Sequence, residues 1–136
     1  MHEAVDDRKL HLIHVKVFQK FLQDGYSSLE KALTRVLELF EEPLPTGRSW
    51  HADLIRMATA PGQARDGLAR PAFAPALSRD FETLRRFRHV AVHAYADFDI
   101  LEAAPAVAAA VRVAAALPAA VTIFGIAAGL LPPNAA

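Results

Sequence analysis

Residues 10–40 read LHLIHVKVFQKFLQDGYSSLEKALTRVLELF. Apolar side chains recur in this stretch at spacings of three and four: Leu10, Ile13, Val17, Phe21 and Leu22, then Leu29, Leu33, Val36, Leu37 and Phe40. This spacing places them on one face of an α-helix. Gly25 interrupts the pattern, but a glycine inside a helix costs only about 1 kcal/mol. The sequence therefore predicts one long helix over residues 5–42, with a weak point near its middle.

Proline and glycine divide the rest of the chain. The run Pro43-Leu44-Pro45-Thr46-Gly47 ends the first helix. Ser49 is then placed to cap a short helix over residues 50–59. A loop follows over residues 60–76, of which we expect residues 64–70 to be mobile.

A third helix is predicted to start after Ser78, with Asp80 and Glu82 in its first turn at the positive end of the helix dipole, and to end near residues 97–99. No segment alternates apolar and polar residues for long enough to indicate a strand. The patterns predict an all-α fold, an antiparallel bundle of four to five helices. We expect a single domain over residues 1–131 and a disordered tail at residues 132–136.

Composition limits the classes of function. The 136 residues include no cysteine, which excludes disulfides and cysteine nucleophiles and, with a polar N-terminus, favours a cytoplasmic location. Fifteen basic and fifteen acidic side chains cancel, which argues against a broad nucleic-acid binder but not against a local basic cleft. No Gly-rich phosphate loop or His-Glu-x-x-His run is present, so we expect no metal and no cofactor. His11 and His14 are compatible with a metal pair, but surface or core positions fit them better.

The C-terminal segment, residues 113–131, contains no charged residue, and its length of 19 would suffice to span a membrane. Pro118 near its middle, an alanine-rich composition and Arg112 directly before it argue against a span. The sequence favours a buried core helix or an oligomer interface.

The chemistry is concentrated at residues 85–97, which read RRFRHVAVHAYAD. Arg88, His93 and Tyr95 have the spacing R-x4-H-x-Y. Cutting RNA without a metal needs a base for the 2′-hydroxyl, an acid for the leaving 5′-oxygen and a cation for the charged transition state. Histidine can serve as acid or base, and arginine is a bidentate clamp for phosphate. Histidine and arginine therefore suit such chemistry, which the family resemblance described below assigns to His93 and Arg88.

Neighbouring residues suit RNA binding. Arg79, Arg85, Arg86 and Arg88 form a locally positive strip beside Asp80 and Glu82, suited to phosphate contacts. We assign RNA contacts to Arg85, Arg86 and His89.

A single helix does not complete the predicted site. Arg88 and His93 are five residues apart, so an ideal helix rotates them by about 140° from each other. Either the helix loosens near His93, or two chains pair so that both motifs line one cleft.

The motif and its surroundings resemble the HepT-like branch of the HEPN superfamily over residues 10–99. The resemblance rests on an ordered set: a long first helix with a tyrosine in its middle, the Pro-Leu-Pro-Thr-Gly turn, Trp50-His51 opening a short helix, Leu-Arg-Arg-Phe-Arg-His, and R-x4-H-x-Y. It implies a HEPN-like helical bundle. It also implies a metal-independent endoribonuclease, the toxin of a toxin–antitoxin pair, cutting tRNA or mRNA through Arg88 and His93.

The resemblance further implies partners. Members of this branch are typically homodimers with a composite cleft, which would remove the geometric difficulty, so we expect the active site at a homodimer interface. In toxin–antitoxin pairs of the HepT–MntA type, a nucleotidyltransferase adds AMP to the tyrosine of this motif, here Tyr95. Added negative charge beside Arg88 and His93 would repel RNA and occupy their donors.

Other interpretations stay open. The motif can simply place cations at the negative end of a helix dipole. A non-catalytic RNA-binding or dimerisation module could also keep it as an anion site. Packing and capping explain Trp50 and His51, and a solvated face explains Glu38, Glu41 and Glu42. The chain departs from the family pattern after Ile100, because residues 103–131 carry a single charge, Arg112.

Overall fold

The computed structural model describes residues 2–63, 69–93 and 103–135. All regular secondary structure in these three ranges is helical, which confirms the all-α prediction: α1 (His2–Leu39), α2 (Trp50–Thr59), α3 (Ser78–His93) and α4 (Ala104–Ala127), with 3₁₀ turns at Pro75–Leu77 and Pro133–Ala135. Helix α3 packs against each of the other three helices, and α2 also packs against α1. The chemistry-bearing helix is therefore the central one.

Helix α1 is continuous through Gly25, as predicted. Its second half supplies much of the core, where Leu33 and Leu37 are fully buried. The helix ends as Glu41 takes a left-handed conformation with φ of 56°. The amide of Glu42 then donates back to the carbonyl of Leu37 at 3.0 Å, a common way to satisfy the last carbonyls of a helix.

The first half of α1 has the same apolar pattern but a different environment. Several of its apolar side chains are exposed, that of Phe21 to 73%. The other exposed members of this stripe are Leu10, Ile13 and Val17. The pattern thus predicted the helix correctly, but no described part of the chain covers this half of its apolar face.

Neither predicted serine cap forms. Ser49 lies before α2 with φ of −98° and ψ of 18°, outside the extended region that a capping residue needs, and its hydroxyl donates to the Asp53 carboxylate at 2.9 Å. Ser78 is itself the first residue of α3 and has helical backbone angles. The 3₁₀ turn Pro75–Leu77 leads directly into the helix, so no capping position is left for Ser78.

Arg70, the last residue of the segment 64–70 that we expected to be mobile, is instead held by many contacts; residues 64–68 lie outside the described ranges, so the prediction is not tested there. Arg70 is 2% exposed and forms an ion pair with Glu42. Its guanidinium also donates at 2.9–3.2 Å to four carbonyls, those of Met57, Ala58, Ala60 and Pro71. Glu42, assigned to a solvated face, is thus part of a buried cluster. Arginine fits there because its five donors can satisfy the free carbonyls at the end of α2.

The described parts of the chain cover helix α4 on one side only, so the first predicted alternative, a buried core helix, fits its inner face alone, and the second, an oligomer interface, stays a prediction for its outer face. Its inner face packs on the core, and its buried residues are Ala106, Ala109, Val113, Phe124 and Gly125. Val111 and Ile123 are exposed on the outer side. Arg112 forms a bidentate pair with Asp80 of α3, with its shortest N–O distance at 2.8 Å. By length and composition alone, α4 could cross a membrane, a test that core helices of soluble proteins also pass.

Candidate functional site on α3

Arg88 lies on the face of α3 that packs against α1. Phe81, one heptad earlier, is completely buried, and residues seven apart on a helix point in nearly the same direction. The half-buried Arg88 side chain therefore reaches α1, where its Cζ lies 5.6 Å from the centroid of the Tyr26 ring. This distance is within the range of a cation–π contact.

The Tyr26 ring beneath Arg88 is a neutral phenol. Burial raises the pKa of its hydroxyl well above the ordinary value, and the nearby Glu30 carboxylate acts in the same direction, while the guanidinium groups of Arg85 and Arg88 oppose it. The hydroxyl is buried near Glu30 but makes no hydrogen bond of good geometry within the described ranges. Tyr26 therefore presents Arg88 with an aromatic face and no negative charge.

One turn after Tyr26 along α1, a hydrogen-bonded pair, Glu30 and His51, joins α1 to α2. The carboxylate of Glu30, itself 9% exposed, accepts a hydrogen bond from Nδ1 of His51. The His51 ring stacks on Trp50 with centroids 3.5 Å apart. Because Tyr26 and Glu30 are four residues apart, they share one face of α1. A hydrogen-bonded carboxylate–imidazole pair and an aromatic ring thus line the same side of the site.

The other motif arginines have different partners. Arg85 forms a bidentate pair with Glu82 at 2.8–3.2 Å, and this hydrogen bonding raises the pKa of its guanidinium. Arg86 is exposed, and with Arg79 and Arg85 it lines an open groove of about 720 Å³. Arg88 forms no ion pair with any carboxylate of the described ranges, and its buried Nε lacks a hydrogen-bond partner there. No carboxylate of the described ranges competes with an anion for its terminal Nη atoms.

Helix α3 remains α-helical through His93, so up to that residue it does not loosen. At 100° per residue, His93 lies on nearly the same side of the helix axis as Arg86, which is seven positions earlier. It is rotated about 140° around the axis from Arg88. The side chains of His89 and His93, all of Tyr95 and the predicted helix exit at residues 97–99 lie outside the described part of the structure. One chain thus carries Arg88 and His93 on different faces of α3.

The family model described as HepT-like protein matches residues 17–127. The chain belongs to the HepT-like family of the HEPN superfamily. The match includes α2, α3, α4 and the part of α1 that forms the core. No curated protein and no solved structure matches the chain. Within the described ranges, this HepT-like protein has no group of three or more metal-ligating side chains.

Sequence reasoning missed three residues of the candidate site: Tyr26, Glu30 and His51. Tyr26 served only as a mark of resemblance, and His51 was explained by packing and capping. The spacing of Tyr26 and Glu30 indicates a shared helix face, but no local pattern shows that His51, in the next helix, pairs with Glu30. The predicted positive strip is also narrower than expected, because Glu82 neutralises Arg85.

Proposed function

We propose that this protein is a metal-independent endoribonuclease, the cytoplasmic toxin of a toxin–antitoxin pair. In this mechanism the 2′-hydroxyl of the RNA attacks the adjacent phosphate, the 5′-oxygen leaves, and a 2′,3′-cyclic phosphate remains. His93 moves the proton at the attacking or the leaving oxygen, and Arg88 binds the phosphate as its negative charge grows.

The observation that carries the proposal is the state of Arg88. Within a matched HepT-like region, it is the motif arginine that is drawn towards the core and yet forms no ion pair with a carboxylate of the described ranges. A carboxylate partner would compete with phosphate for the guanidinium, whereas an aromatic ring holds the cation and leaves its charge intact. In this proposal, Arg85, Arg86 and His89 bind neighbouring phosphates, as predicted from the sequence.

A homodimer would bring together what one chain separates. Arg88 of one protomer and His93 of its partner can meet if two copies of α3 face one cleft. The exposed apolar stripe of α1 and the exposed face of α4 support pairing, since large unpaired apolar surfaces typically mark interfaces. An apolar groove of about 270 Å³ between these helices, lined by Phe21, Tyr26 and Leu117, continues that surface up to the site.

The antitoxin in this proposal is an MntA-like nucleotidyltransferase that transfers AMP to Tyr95. The phosphate of the adduct would lie two residues from His93 and offer Arg88 an intramolecular anion in place of RNA. Silencing by this route needs no change of fold, because the competing phosphate is attached to the motif itself.

The test combines growth and chemistry. The wild-type chain, Arg88→Ala and His93→Ala are expressed in a host, then purified and incubated with total host RNA in EDTA. We expect growth arrest and 2′,3′-cyclic phosphate ends for the wild type, with cleavage about 10²–10³-fold slower in either variant. Arg35→Ala, which removes an exposed arginine of α1, is the matched control and retains cleavage.

The alternative function is a non-catalytic RNA-binding or dimerisation module that uses the motif as an anion site. The separation of Arg88 and His93 around α3 within one chain favours it. Soluble protein that binds RNA through Arg88, leaves it intact and does not arrest growth would establish this alternative and exclude the nuclease.

A further inference from the structure

We propose that Tyr26 is a positioning residue for Arg88: its ring holds the guanidinium in the orientation that phosphate requires. The inference rests on the proposed nuclease function but concerns a residue outside the R-x4-H-x-Y motif, on a different helix. It starts from the 5.6 Å contact between Arg88 and the Tyr26 ring.

An arginine that binds a transition state has to be held without being neutralised. A free arginine has many rotamers, and ordering it when substrate arrives costs up to about 2 kcal/mol. Pairing with a carboxylate, as Arg85 pairs with Glu82, would order it but occupy its donors. Stacking on a ring fixes the plane of the guanidinium and leaves its edge free for phosphate oxygens.

The ring is itself held in place from two sides. Tyr26 is only 2% exposed and belongs to the main core cluster, so its ring cannot rotate away without disturbing α1. One turn further along α1, the pair of Glu30 with His51 ties this helix to α2. The contact between Tyr26 and Arg88 thus joins the core to the site.

The aromatic ring of Tyr26, and not its hydroxyl, is the part that supports Arg88. The hydroxyl makes no well-formed hydrogen bond within the described ranges, so Tyr26→Phe keeps the feature that matters. Tyr26→Leu keeps an apolar side chain but removes the aromatic face. These two substitutions separate the proposed role from ordinary core packing. Leu33→Val, a mild core lesion two turns along α1, controls for lost stability.

The first readout is cleavage of host RNA by the full-length chain. We expect Tyr26→Leu to lower kcat about tenfold with little change in KM, since a desolvated cation–π contact is worth about that factor and Arg88 acts mainly in the transition state. Tyr26→Phe restores cleavage to within about twofold, and Leu33→Val does not lower kcat at matched folded fraction. Equal losses in Tyr26→Phe and Tyr26→Leu would overturn the proposal.

The second readout does not depend on cleavage. A guanidinium above an aromatic ring has its Nε–H proton shifted upfield in the NMR spectrum of the ¹⁵N-labelled chain, and Arg88→Lys identifies the signal. We expect the shift to persist in Tyr26→Phe and to disappear in Tyr26→Leu. An unshifted Arg88 signal in the wild type would refute the positioning role. A shifted signal in a protein that cuts no RNA would support the contact while the nuclease proposal fails.

Discussion

The side chains of Arg70 and Arg88 both reach inwards from the surface, but their guanidinium groups have different kinds of partner. Around Arg70, one carboxylate and four backbone carbonyls occupy the guanidinium. The guanidinium of Arg88 lies over an aromatic ring and forms no ion pair with a carboxylate of the described ranges. A buried cation whose donors are all used stabilises the fold. One whose donors are left open lowers stability unless a ligand uses it.

The largest effect is expected when both arginines receive the same substitution. Arg70→Met removes a buried ion pair and leaves the end of α2 without donors, so we expect the free energy of unfolding to fall by about 3 kcal/mol. Arg88→Met should change it by less than about 1 kcal/mol, because no carboxylate of the described ranges loses its partner. Urea unfolding followed by circular dichroism measures both.

Arg56→Met is the matched control for this pair. Arg56 is an exposed arginine of α2 that pairs with Asp53 on the same helix, so its loss should be close to neutral. If Arg70→Met proved no more destabilising than Arg56→Met, the distinction between Arg70 and Arg88 would fail.

The helices could be predicted from sequence because their signals are local. The periodicity of residues 10–40, the Pro-Leu-Pro-Thr-Gly stop and the start of α2 at Trp50 all correspond to the structure. The two serine caps were predicted wrongly, because the 3₁₀ turn before Ser78 and the backbone angles of Ser49 depend on how the connections between helices pack. The role of Arg70 was missed for a similar reason: its partner Glu42 is 28 residues away in the chain.

The site was predictable only in its sequence-local part. R-x4-H-x-Y is contained within one stretch, so spacing alone identified Arg88, His93 and Tyr95 as candidates. The support beneath Arg88 comes from α1 and the pair beside it from α2, and no periodicity links these positions. The exposed half of α1 shows the same limit, since a pattern indicates an apolar face but not what covers it.

A smaller effect is expected when Arg85, whose donors are bound to Glu82, loses this partner. Glu82→Gln removes the bidentate partner of Arg85 and should make it behave more like Arg88. We expect tighter binding of a 2′-O-methyl RNA oligonucleotide by roughly threefold, and a salt dependence steeper by about 0.7 in log K against log salt, the value for one more phosphate contact on a single strand.

Fluorescence anisotropy at several salt concentrations measures this change. Glu38→Gln is the matched control, because Glu38 is likewise paired with an arginine three residues away, Arg35 on α1. An equal gain in both variants would mean that net charge, and not the release of Arg85 in the groove of α3, sets the affinity.

The smallest effect concerns an arginine whose donors are used but which stays in water. Arg112 pairs with Asp80 across α3 and α4, and this hydrogen bonding lowers the pKa of Asp80 below its ordinary 3.8. The folded state therefore binds the proton more weakly than the unfolded state, so the pair contributes stability above about pH 4 and loses it as the pH falls below that value. The Tm of wild type should exceed that of Asp80→Asn slightly at pH 7, and the difference should shrink as the pH falls below about 4. Asp24 pairs with Lys20 on the same helix, so the change in Tm of Asp24→Asn shows whether a pair that joins two helices contributes more than one within a helix. A difference that persisted undiminished at pH 2.5 would show that Asp80 acts through something other than its charge.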